Sequence, residues 1–439
     1  MNTKALPFCL VLSAGLLGGP MAFSATPNAP SSADVSAVYP ASEALYLDLH
    51  QHPELSGHEV QTAAKLAENL RQLKFEVTTG LGGTGVVGVL KNGAGRTVLL
   101  RTEMDALPVL ENTGLPYASK VTVTNASGVT LPVMQACGHD LHMSAWFGTA
   151  QWMSTHKNRW HGTLILVAQP AEELGEGAKA MISDGLLTRF GRPDYAIALH
   201  DTNMLPSGSL GYTAGYALAA SDSLDITLYG RGGHGGRPQQ TVDPIVMAAR
   251  TVLALQTIVS RETNPIDPVV ITVGSIHGGS KHNIVPDEVH LQLTVRTYKT
   301  EVRSQVLAAI ERMTKAEAQA AGAPKEPVIT LMPVAQATYN DPALTQRLAA
   351  NLQNVLGKDQ VVEVPPNTVS EDFAEFHAAG IPSAILWLGA VEPQKFKDLQ
   401  SRHESAPELH SALWAPDYPN ALRTGITAET AALLDLFAR

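Results

Sequence analysis

The sequence predicts an α/β protein: a catalytic α/β domain with a mostly parallel central sheet, interrupted by an inserted α+β domain. Apolar strand patterns alternate with helical patterns in the first and last parts of the chain, which is typical of a parallel sheet covered by helices. Between these parts, half-buried strand patterns accompany two long helical patterns, which indicates an α+β sandwich. Hydrophobic residues make up 44% of the 439 residues, enough for a sizeable core.

The N-terminal residues 1–25 have the pattern of a secretory signal peptide. Lys4 precedes an apolar stretch over residues 5–23, and small residues follow it. This stretch is short and interrupted for a membrane span, so a membrane-anchored N-terminus is the less favoured alternative. Residues 26–37, rich in Ala, Pro and Ser, resemble a linker. We therefore expect an exported protein, periplasmic or secreted, with no membrane segment in its mature form.

The order of predicted elements divides the rest of the chain. In the first part, helix is predicted over 40–75, 143–153 and 178–187, and strand over 76–77, 85–90, 97–100, 162–169 and 195–199. In the middle part, strands are predicted over 223–229, 269–276 and 288–297, and helices over 243–259 and 301–321. The α/β pattern resumes near residue 342. We assign residues 38–212 and 331–439 to a discontinuous catalytic domain and 213–330 to the inserted domain.

Charge and cysteine content exclude several classes of function. Asp and Glu number 41 against 31 Lys and Arg, a net charge of −10, and no basic run interrupts this balance. Nucleic acid and anionic membranes are therefore poor candidates for partners. Loss of the signal peptide removes Cys9 and leaves Cys137, so no internal disulfide can form.

The strongest chemical motif is the segment 134–142. Cys137 and His139, one residue apart in a loop before a predicted helix, can bind one metal ion. A thiolate is also easier to form beside a helix N-terminus. The alternative is a buried cysteine next to solvated histidines.

A pair of acids follows the apolar strand predicted over 162–169. Glu172 and Glu173 lie at its carboxyl end, where open α/β sheets place their sites. One carboxylate can bind a metal while the other acts as a general base for water. The alternative is two exposed acids at a helix N-terminus, where the helix dipole favours negative charge.

Two further histidines become candidate metal ligands because these motifs already supply part of a site. His200 ends an apolar strand and His410 lies in a Pro-rich C-terminal region; either one alone is more often a surface residue. Together the candidates make five ligands, too many for one tetrahedral zinc but suitable for a shared two-metal site. The five are Cys137, His139, Glu173, His200 and His410.

Two acidic segments have a structural alternative of equal or greater weight. Asp105 follows the strand predicted over 97–100, and there it can hold a ligating histidine or form a turn before Pro108. The segment 370–373, Ser-Glu-Asp-Phe, is typical of a capped helix start, so we expect a structural role for it.

The inserted domain offers polar groups for a substrate. His234 lies in a glycine-rich turn over 230–236, whose glycines permit close approach to a ligand, although such a turn is common without function. Asn283 could add a second polar contact. Arg296 and Arg237 are candidates for binding a carboxylate through forked hydrogen bonds.

Taken in order, these motifs resemble those of the metallopeptidase superfamily that contains aminoacylases, carboxypeptidase G and hippurate hydrolases. The sequence is most similar to its amidohydrolase branch, which includes hydrolases of indoleacetyl-amino acids. The motifs span nearly the whole chain after the signal peptide, and together they are far more specific than any one of them. They are residues 103–108, 136–140, 169–173, 232–235, 283–286, 370–373 and 409–411.

The resemblance implies a two-metal catalytic domain with an inserted lid and dimerisation domain, hence two divalent ions and a homodimer or higher homo-oligomer. The ions would be zinc, which the cysteine favours, or manganese, which suits carboxylate and imidazole. By the family pattern, Glu172 matches the general base and Asp105 the acid that orients a ligating histidine. The residues that match metal ligands are Cys137, His139, Glu173, His200 and His410.

For the substrate, His234 matches the lid histidine that steadies the carbonyl or carboxylate, often on the partner subunit. Asn283 matches the asparagine of the lid. The chain departs from the branch at Glu103, Gln135 and Leu141, where Asp, His and Gly are usual. None of these three is a ligand by our assignment, so we expect metal binding to be retained. The three residues line or flank the pocket, so the departures leave the acyl specificity open.

The expected function is metal-dependent hydrolysis of the amide bond in small-molecule N-acyl amino acids. Metal ions lower the pKa of water, Glu172 takes a proton from it, the carbonyl is attacked, and Glu172 then protonates the leaving amine. Two alternatives remain: a dipeptidase or carboxypeptidase of the same superfamily, and a periplasmic solute-binding protein, which is also bilobal and exported.

Overall fold

The computed structural model describes residues 29–438, so the predicted signal peptide, residues 1–25, lies outside the described residues. The helices are α1 (Ser32–Gln51), α2 (Val60–Gln72), α3 (His139–Thr155), α4 (Gly177–Ser183), α5 (Leu186–Arg189), α6 (Pro244–Thr257), α7 (Thr300–Ala320), α8 (Pro342–Leu356), α9 (Ala374–Ala378), α10 (Pro393–Ser401) and α11 (Tyr418–Phe437). The strands are β1 (Glu76–Leu81), β2 (Gly85–Asn92), β3 (Thr97–Glu103), β4 (Thr122–Thr124), β5 (Thr130–Pro132), β6 (Gly162–Gln169), β7 (Tyr195–Pro206), β8 (Leu210–Tyr212), β9 (Gly215–Leu218), β10 (Ala220–Tyr229), β11 (Gly233–His234), β12 (Val270–His277), β13 (Ile284–Val285), β14 (Glu288–Thr297), β15 (Val328–Ala335), β16 (Thr338–Asn340), β17 (Val361–Glu363) and β18 (Ser383–Val391).

The large sheet has the order β1-β2-β6-β3-β7-β18-β8-β17. Its central strands β6, β3, β7 and β18 run parallel, while β1, β2 and the contact of β18 with β8 are antiparallel. The mostly parallel α/β sheet predicted from the sequence is therefore confirmed. Because central parallel strands are covered on both faces, their sequences read as continuous apolar runs.

Both faces of this sheet are packed against helices. Along β3, Val98 and Leu100 join a core formed with α1, α2, α3 and α11, whereas Leu99 joins a second core formed with α4, α5 and α9. All three side chains are fully buried. Successive strand residues point to opposite faces, so a single strand supplies both cores. Truncation of such a buried leucine to alanine typically costs about 2–5 kcal/mol.

The second sheet belongs to the inserted part of the chain and is antiparallel, with the order β12-β14-β10-β15. Along β10, buried Leu224, Ile226 and Leu228 alternate with half-buried polar residues, and the buried set packs with α6 and α7. This one-sided pattern is typical of an antiparallel sheet covered on one face. The α+β architecture of the insertion is confirmed; the division at residues 213 and 330 stays a prediction.

The linker predicted over residues 26–37 is wrong from Ser32 onward, where α1 begins. The Ser31 hydroxyl accepts a hydrogen bond from the Asp34 amide (3.1 Å), and the Asp34 carboxylate accepts one from the Ser31 amide (2.8 Å). This capping box starts the helix despite the Pro- and Ser-rich composition, and Val35 and Val38 are buried behind it. Within residues 29–438, no helix combines the length and apolar character that a membrane crossing requires.

Candidate metal centre and active site

Three parallel strands deliver the candidate side chains to one edge of the large sheet. Glu103 ends β3 and lies in register with Gln169, which ends β6 three residues before Glu172. His200 lies on the neighbouring strand β7. Because the carboxyl ends of parallel strands meet at one edge, residues far apart in sequence lie side by side there.

The five predicted ligands converge at this edge. The Cys137 sulfur lies 3.2 Å from His410 Nε2 and 3.6 Å from His200 Nε2. Glu173 Oε1 lies 3.4 Å from His410 Nε2 and 3.9 Å from His139 Nε2. The structure thus brings together all five side chains predicted as ligands.

The predicted general base lies against the same group. Glu172 Oε2 is 3.9 Å from His139 Nε2, and the residue is 8% exposed. Ala171, directly before it, has a left-handed φ of 51°, as does His410 with 63°. Non-glycine residues adopt this conformation rarely, and it concentrates at functional sites.

Hydrogen bonds from the far side of each ring fix the two buried histidines. His139 Nδ1 lies 2.8 Å from the Asp105 carbonyl oxygen, and His200 Nδ1 lies 2.8 Å from the Asp201 carbonyl oxygen. A carbonyl oxygen only accepts, so each Nδ1 carries the proton and donates it. In the neutral form of each ring, Nε2 is then the unprotonated acceptor directed at the cluster, which is the form that binds a metal ion.

Asp105 contacts two of the predicted ligands, His139 and Glu173. Its Oδ1 lies 3.5 Å from His139 Nδ1, while its Oδ2 accepts from the Ser56 hydroxyl (2.7 Å) and the Glu173 amide (3.0 Å). The carboxylate therefore restrains the ring of one predicted ligand and the backbone of another. Its main contact with the histidine is through its own carbonyl rather than its side chain.

Buried atoms without partners show that the cluster fits metal ions. Within the described residues, His139 Nε2 and Glu173 Oε1 are buried and have no hydrogen-bond partner. A buried polar atom left unpaired costs about 1–3 kcal/mol, so such atoms require a ligand. Sulfur, imidazole and carboxylate together suit zinc, and imidazole with carboxylate suits manganese.

The protonation of Cys137 leads to the same conclusion. Burial, and then the charges of Glu173 and Glu172, raise the pKa of the thiol well above its ordinary value. We expected the N-terminus of α3 to ease thiolate formation, but it does not offset burial among carboxylates. Added positive charge is what would stabilise a thiolate here. The Glu172 carboxyl likewise has its pKa raised, by burial and by the charge of Glu371.

A neighbouring group of ligand-type side chains was missed by the sequence analysis. Ligand atoms of Glu103, His139, His142 and His200 all lie within 4.8 Å of one another, and all four residues are buried. His142 Nε2 lies 2.8 Å from the Asp201 amide nitrogen and 3.2 Å from Asp201 Oδ1, and its Nδ1 lies 3.5 Å from Glu103 Oε1. The spacing of three residues between His139 and His142 on a helix was the available signal.

The segment 370–373 is not merely the start of a helix, as the sequence predicted. The helix α9 begins at Ala374, and Glu371 and Asp372 are buried beside Glu172. The ligand-type oxygens of these three acids lie within 4.8 Å of one another. The local sequence of residues 370–373 does not indicate that Glu371 and Asp372 are buried beside Glu172, because that burial depends on a distant segment of the chain.

A cavity of about 490 Å³ opens between the cluster and the inserted sheet. Its apolar lining consists of Met204, Leu218, Val334, Val369, Trp387 and Leu409. Arg296 of β14 lines it as well, and its side chain donates to the Val295 carbonyl oxygen at 3.2 Å and to the Thr294 hydroxyl. Within residues 29–438, no acidic side chain lies within ion-pair distance of Arg296, so its charge is available to a ligand in the cavity.

The other predicted substrate residues lie elsewhere. His234 and Asn283 are exposed on the small β11–β13 sheet, where the Gly235 amide donates to the Asn283 carbonyl oxygen (2.8 Å). His234 Nδ1 accepts from the Gly236 amide at 2.9 Å. Neither residue lines the cavity, and Arg237 is exposed beside them. Within one chain, the structure does not bring them to the cluster.

Comparison with known proteins identifies the family. The family described as Peptidase family M20/M25/M40 matches residues 99–412. The chain belongs to this family. It is 36% identical over 351 residues to thermostable carboxypeptidase 1 of Saccharolobus solfataricus, covering 79% of this chain and 85% of that protein. It is 39% identical over 273 residues to the hippurate hydrolase of Campylobacter jejuni, covering 62% and 68%.

A solved structure extends the likeness to the fold. The Bacillus subtilis YxeP protein, described as a dinuclear metal binding peptidase of the M20 family, superposes with a TM-score of 0.74 at 27% identity, covering 92% of this chain and 99% of that one. The family resemblance predicted from the motifs is confirmed. The chain is a metal-dependent hydrolase of amide bonds, which rules out the solute-binding protein considered above.

Proposed function

We propose that this M20 hydrolase cleaves the amide bond of N-acyl amino acids. The observation that carries the proposal is the position of Arg296 in the same cavity as predicted metal ligands. It is a half-buried cation, and among the described residues no acidic side chain lies within ion-pair distance of it. A substrate carboxylate on Arg296 would place the amide of the same molecule toward the cluster. The apolar lining would then receive the acyl group, and one relative is named a hippurate hydrolase.

Two acids of the cavity wall, Glu371 and Asp372, are not available to the free ammonium group that a dipeptide substrate carries. Glu371 accepts hydrogen bonds from Arg101 at 2.7 and 3.3 Å. Asp372 accepts from Arg101 (3.0 Å), Gln169 (2.7 Å) and the Ala178 amide (2.8 Å). Both acids are satisfied within the protein, so neither is free to pair with an ammonium group.

The residues of the chain divide the chemical work. When bound, two divalent ions supply the acidity of a water molecule and the polarisation of the carbonyl. Arg296 holds the carboxylate and so fixes the amide relative to the cluster, which removes the entropy cost of alignment from the chemical step. The Glu172 carboxylate accepts the proton of the attacking water and returns it to the leaving nitrogen. The Nδ1 hydrogen bonds of His139 and His200 keep both rings oriented.

A paired substrate assay tests the proposal. Purified protein is assayed with zinc or manganese on hippurate, N-acetyl amino acids and dipeptides of the same C-terminal residue. We expect kcat/KM for the best N-acyl substrate to exceed that for the matched dipeptide at least tenfold, with loss of activity in chelator and recovery on metal addition. Equal or greater activity on the dipeptides would support the dipeptidase alternative instead, and metal analysis of protein purified without added metal would identify the native ion.

We also propose that the chain forms a homodimer through the inserted domain. On α6, Ile245, Val246 and Leu253 are 43%, 57% and 71% exposed, and Ile276 on the edge strand β12 is 51% exposed. An apolar helix face beside an unpaired sheet edge is a surface that proteins usually cover. In light scattering, Leu253→Glu should shift the mass toward the monomer, whereas Val123→Glu, on the exposed β4 strand, should not.

We further propose export, on the basis of the signal-peptide pattern in residues 1–25. The support is the charged residue, apolar stretch and small residues of that segment. Expression of the full chain in a bacterium should yield a periplasmic or secreted protein that has lost these residues, as read by N-terminal sequencing. Retention of residue 1 on an intracellular protein would contradict export.

A further inference from the structure

Arg101 of β3 is an unusual buried cation, with a side chain that is 0% exposed. Its Nε donates to Gln169 Oε1 (2.9 Å). Its Nη2 donates to Glu371 (2.7 Å) and Asp372 (3.0 Å). Its Nη1 donates to Glu371 (3.3 Å) and lies 2.8 Å from Glu103 Oε1. The guanidinium therefore makes four hydrogen bonds and one further ion pair, in a fork that only arginine offers.

The partners of Arg101 come from three separate parts of the chain. Glu103 ends β3, and Gln169 ends β6 just before the acid pair that begins with Glu172. Glu371 and Asp372 lie 270 and 271 residues after Arg101, in the segment that approaches α9. Gln169 Nε2 also donates to Asp372 Oδ1 (2.7 Å), which closes the network. One side chain thus joins the strand ends that carry the cluster to a distant segment.

That segment forms a wall of the cavity and is held at both ends. Residues 367–372 all line the cavity. At one end, the Asn367 carbonyl oxygen accepts from the Tyr298 hydroxyl (2.9 Å) of the inserted part. At the other end, Arg101 binds Glu371 and Asp372. Within the described residues, no other basic side chain lies within ion-pair distance of either acid.

Arg101 anchors a group of three buried acids. The ligand-type oxygens of Glu172, Glu371 and Asp372 lie within 4.8 Å of one another. The Arg101 guanidinium is in direct contact with two of them, 2.7 Å from Glu371 and 3.0 Å from Asp372. When these contacts are lost, we expect Glu371 and Asp372 to shift relative to Glu172 and the cavity wall to shift with them.

We propose that Arg101 is a positioning residue for amide hydrolysis. It acts through Glu371 and Asp372, which it holds against Glu172, and it thereby fixes both the general base and the wall of the cavity. The inference rests on the proposed function, in which Glu172 is the general base. It adds a residue that touches neither the substrate nor a predicted metal ligand, and it gives the acids of the 370–373 segment a role.

The test replaces the forked guanidinium of Arg101 with a different group of the same charge. In Arg101→Lys, an ammonium group with three donors cannot span the same acceptors. We expect kcat on hippurate to fall about 100-fold, the effect of a displacement of roughly 1 Å at a catalytic group, with KM changed less than threefold. Metal content of the purified enzyme should be unchanged. The matched control is Arg347→Lys, whose arginine pairs with Asp435 away from the cavity and whose kcat should stay within twofold of wild type.

A double variant separates positioning from a general structural role. If Arg101 acts through Glu172, adding Arg101→Lys to Glu172→Gln should lower the residual kcat less than threefold, because the interaction is already lost. An equal 100-fold loss in both backgrounds, or wild-type kcat in Arg101→Lys alone, would overturn the inference and leave the proposed function standing. Wild-type kcat in Glu172→Gln would overturn the proposed base and this inference with it.

A second variant keeps the test decisive if Arg101→Lys does not fold. Glu371→Gln conserves the shape of the side chain and removes one ion pair of Arg101. We expect kcat to fall about tenfold, again without further loss in the Glu172→Gln background. An unchanged kcat in Glu371→Gln would overturn the inference.

Discussion

The two regions that carry candidate functional residues differ in how those residues are held. At the edge of the large sheet, His139 and His200 are buried, each ring is fixed by a carbonyl oxygen, and the Nε2 of each faces the cluster. On the small β11–β13 sheet, His234 and Asn283 are exposed, and the contacts that hold them are local to the loop.

This difference shows which parts of the site one chain can complete alone. The buried donors with unpaired atoms are already close together within one chain, as a metal site requires. Exposed side chains on a separate sheet can act on a substrate only if something brings them to a cavity, and the apolar surface of α6 offers a way for a second subunit to do so.

The largest effect is expected from Glu172→Gln, within the buried region. Loss of the general base should lower kcat about 1,000-fold, since general acid–base catalysis contributes 10²–10⁴-fold. Metal content, measured by elemental analysis, should be retained, because Glu172 is not among the predicted ligands. The matched control is Glu176→Gln, an exposed acid in the same segment, which should keep kcat within twofold. Substantial turnover in Glu172→Gln would remove Glu172 from the role.

The exposed region is tested by His234→Ala. If His234 serves the cavity of a partner subunit, kcat/KM should fall about 100-fold, the size typical for loss of one donor to the developing oxyanion. Mixing inactive His234→Ala with inactive Glu172→Gln protein and allowing subunit exchange should restore about a quarter of wild-type activity. Half of the dimers are then mixed, and each mixed dimer has one intact site of two. A mixture as inactive as its components would contradict the shared site.

Arg296 belongs to the inserted part of the chain, as His234 does, but it lines the cavity. Arg296→Ala should raise KM for N-acyl amino acids about 30-fold, with a smaller effect on kcat, because the substrate carboxylate loses a charged partner. Arg261→Ala, at an exposed arginine of the same domain, should leave KM within twofold. Equal effects of the two substitutions on KM would show that the carboxylate is bound elsewhere.

The smallest effect concerns stability, and it comes from the catalytic domain alone. Burial of Glu429 on α11 raises its pKa to about 8. The protonated form is therefore favoured in the folded state, so its stabilising contribution is full below about pH 4.5 and is lost as the pH rises through about 8. Glu429→Gln mimics the protonated form and keeps a partner for the Thr149 hydroxyl.

We expect the melting temperature of Glu429→Gln to equal that of wild type near pH 5 and to exceed it by about 1–3 °C near pH 8.5, as read by scanning calorimetry. The exposed acid Glu408 provides the control, since Glu408→Gln should show no such pH dependence. A melting temperature for Glu429→Gln that runs parallel to wild type at both pH values would mean that Glu429 ionises freely in the folded protein.

Much of the fold and of the grouping of the candidate metal ligands could be predicted because the signals are local. Apolar runs such as 162–169 mark central strands, and a donor directly after such a run must lie at the carboxyl edge of the sheet. This argument placed Glu172, Glu173 and His200 correctly relative to one another. The start of α1 was missed although Ser31 and Asp34 have capping-box spacing, because the composition around them is typical of a linker.

The role of Arg101 and its acidic partners could not be predicted in this way. Nothing in the sequence near residue 101 indicates that its guanidinium binds two acids some 270 residues away. The segment 370–373 has the local pattern of a helix cap, and only its burial beside Glu172 shows otherwise. Pairing between distant charged residues depends on which strands become neighbours, and that depends on the packing of the whole domain.

The sequence by itself determined the chemistry available to this protein: a sulfur, imidazoles and carboxylates at strand ends, with the family that such motifs in this order identify. These follow from residue type and local spacing. Only the tertiary structure decided which donors meet, which ring nitrogen of His139 and His200 is free, and that Arg296 faces the cavity while His234 does not. Such features arise where distant segments pack together, because burial and neighbouring charges, rather than residue type alone, set the protonation and orientation of a side chain.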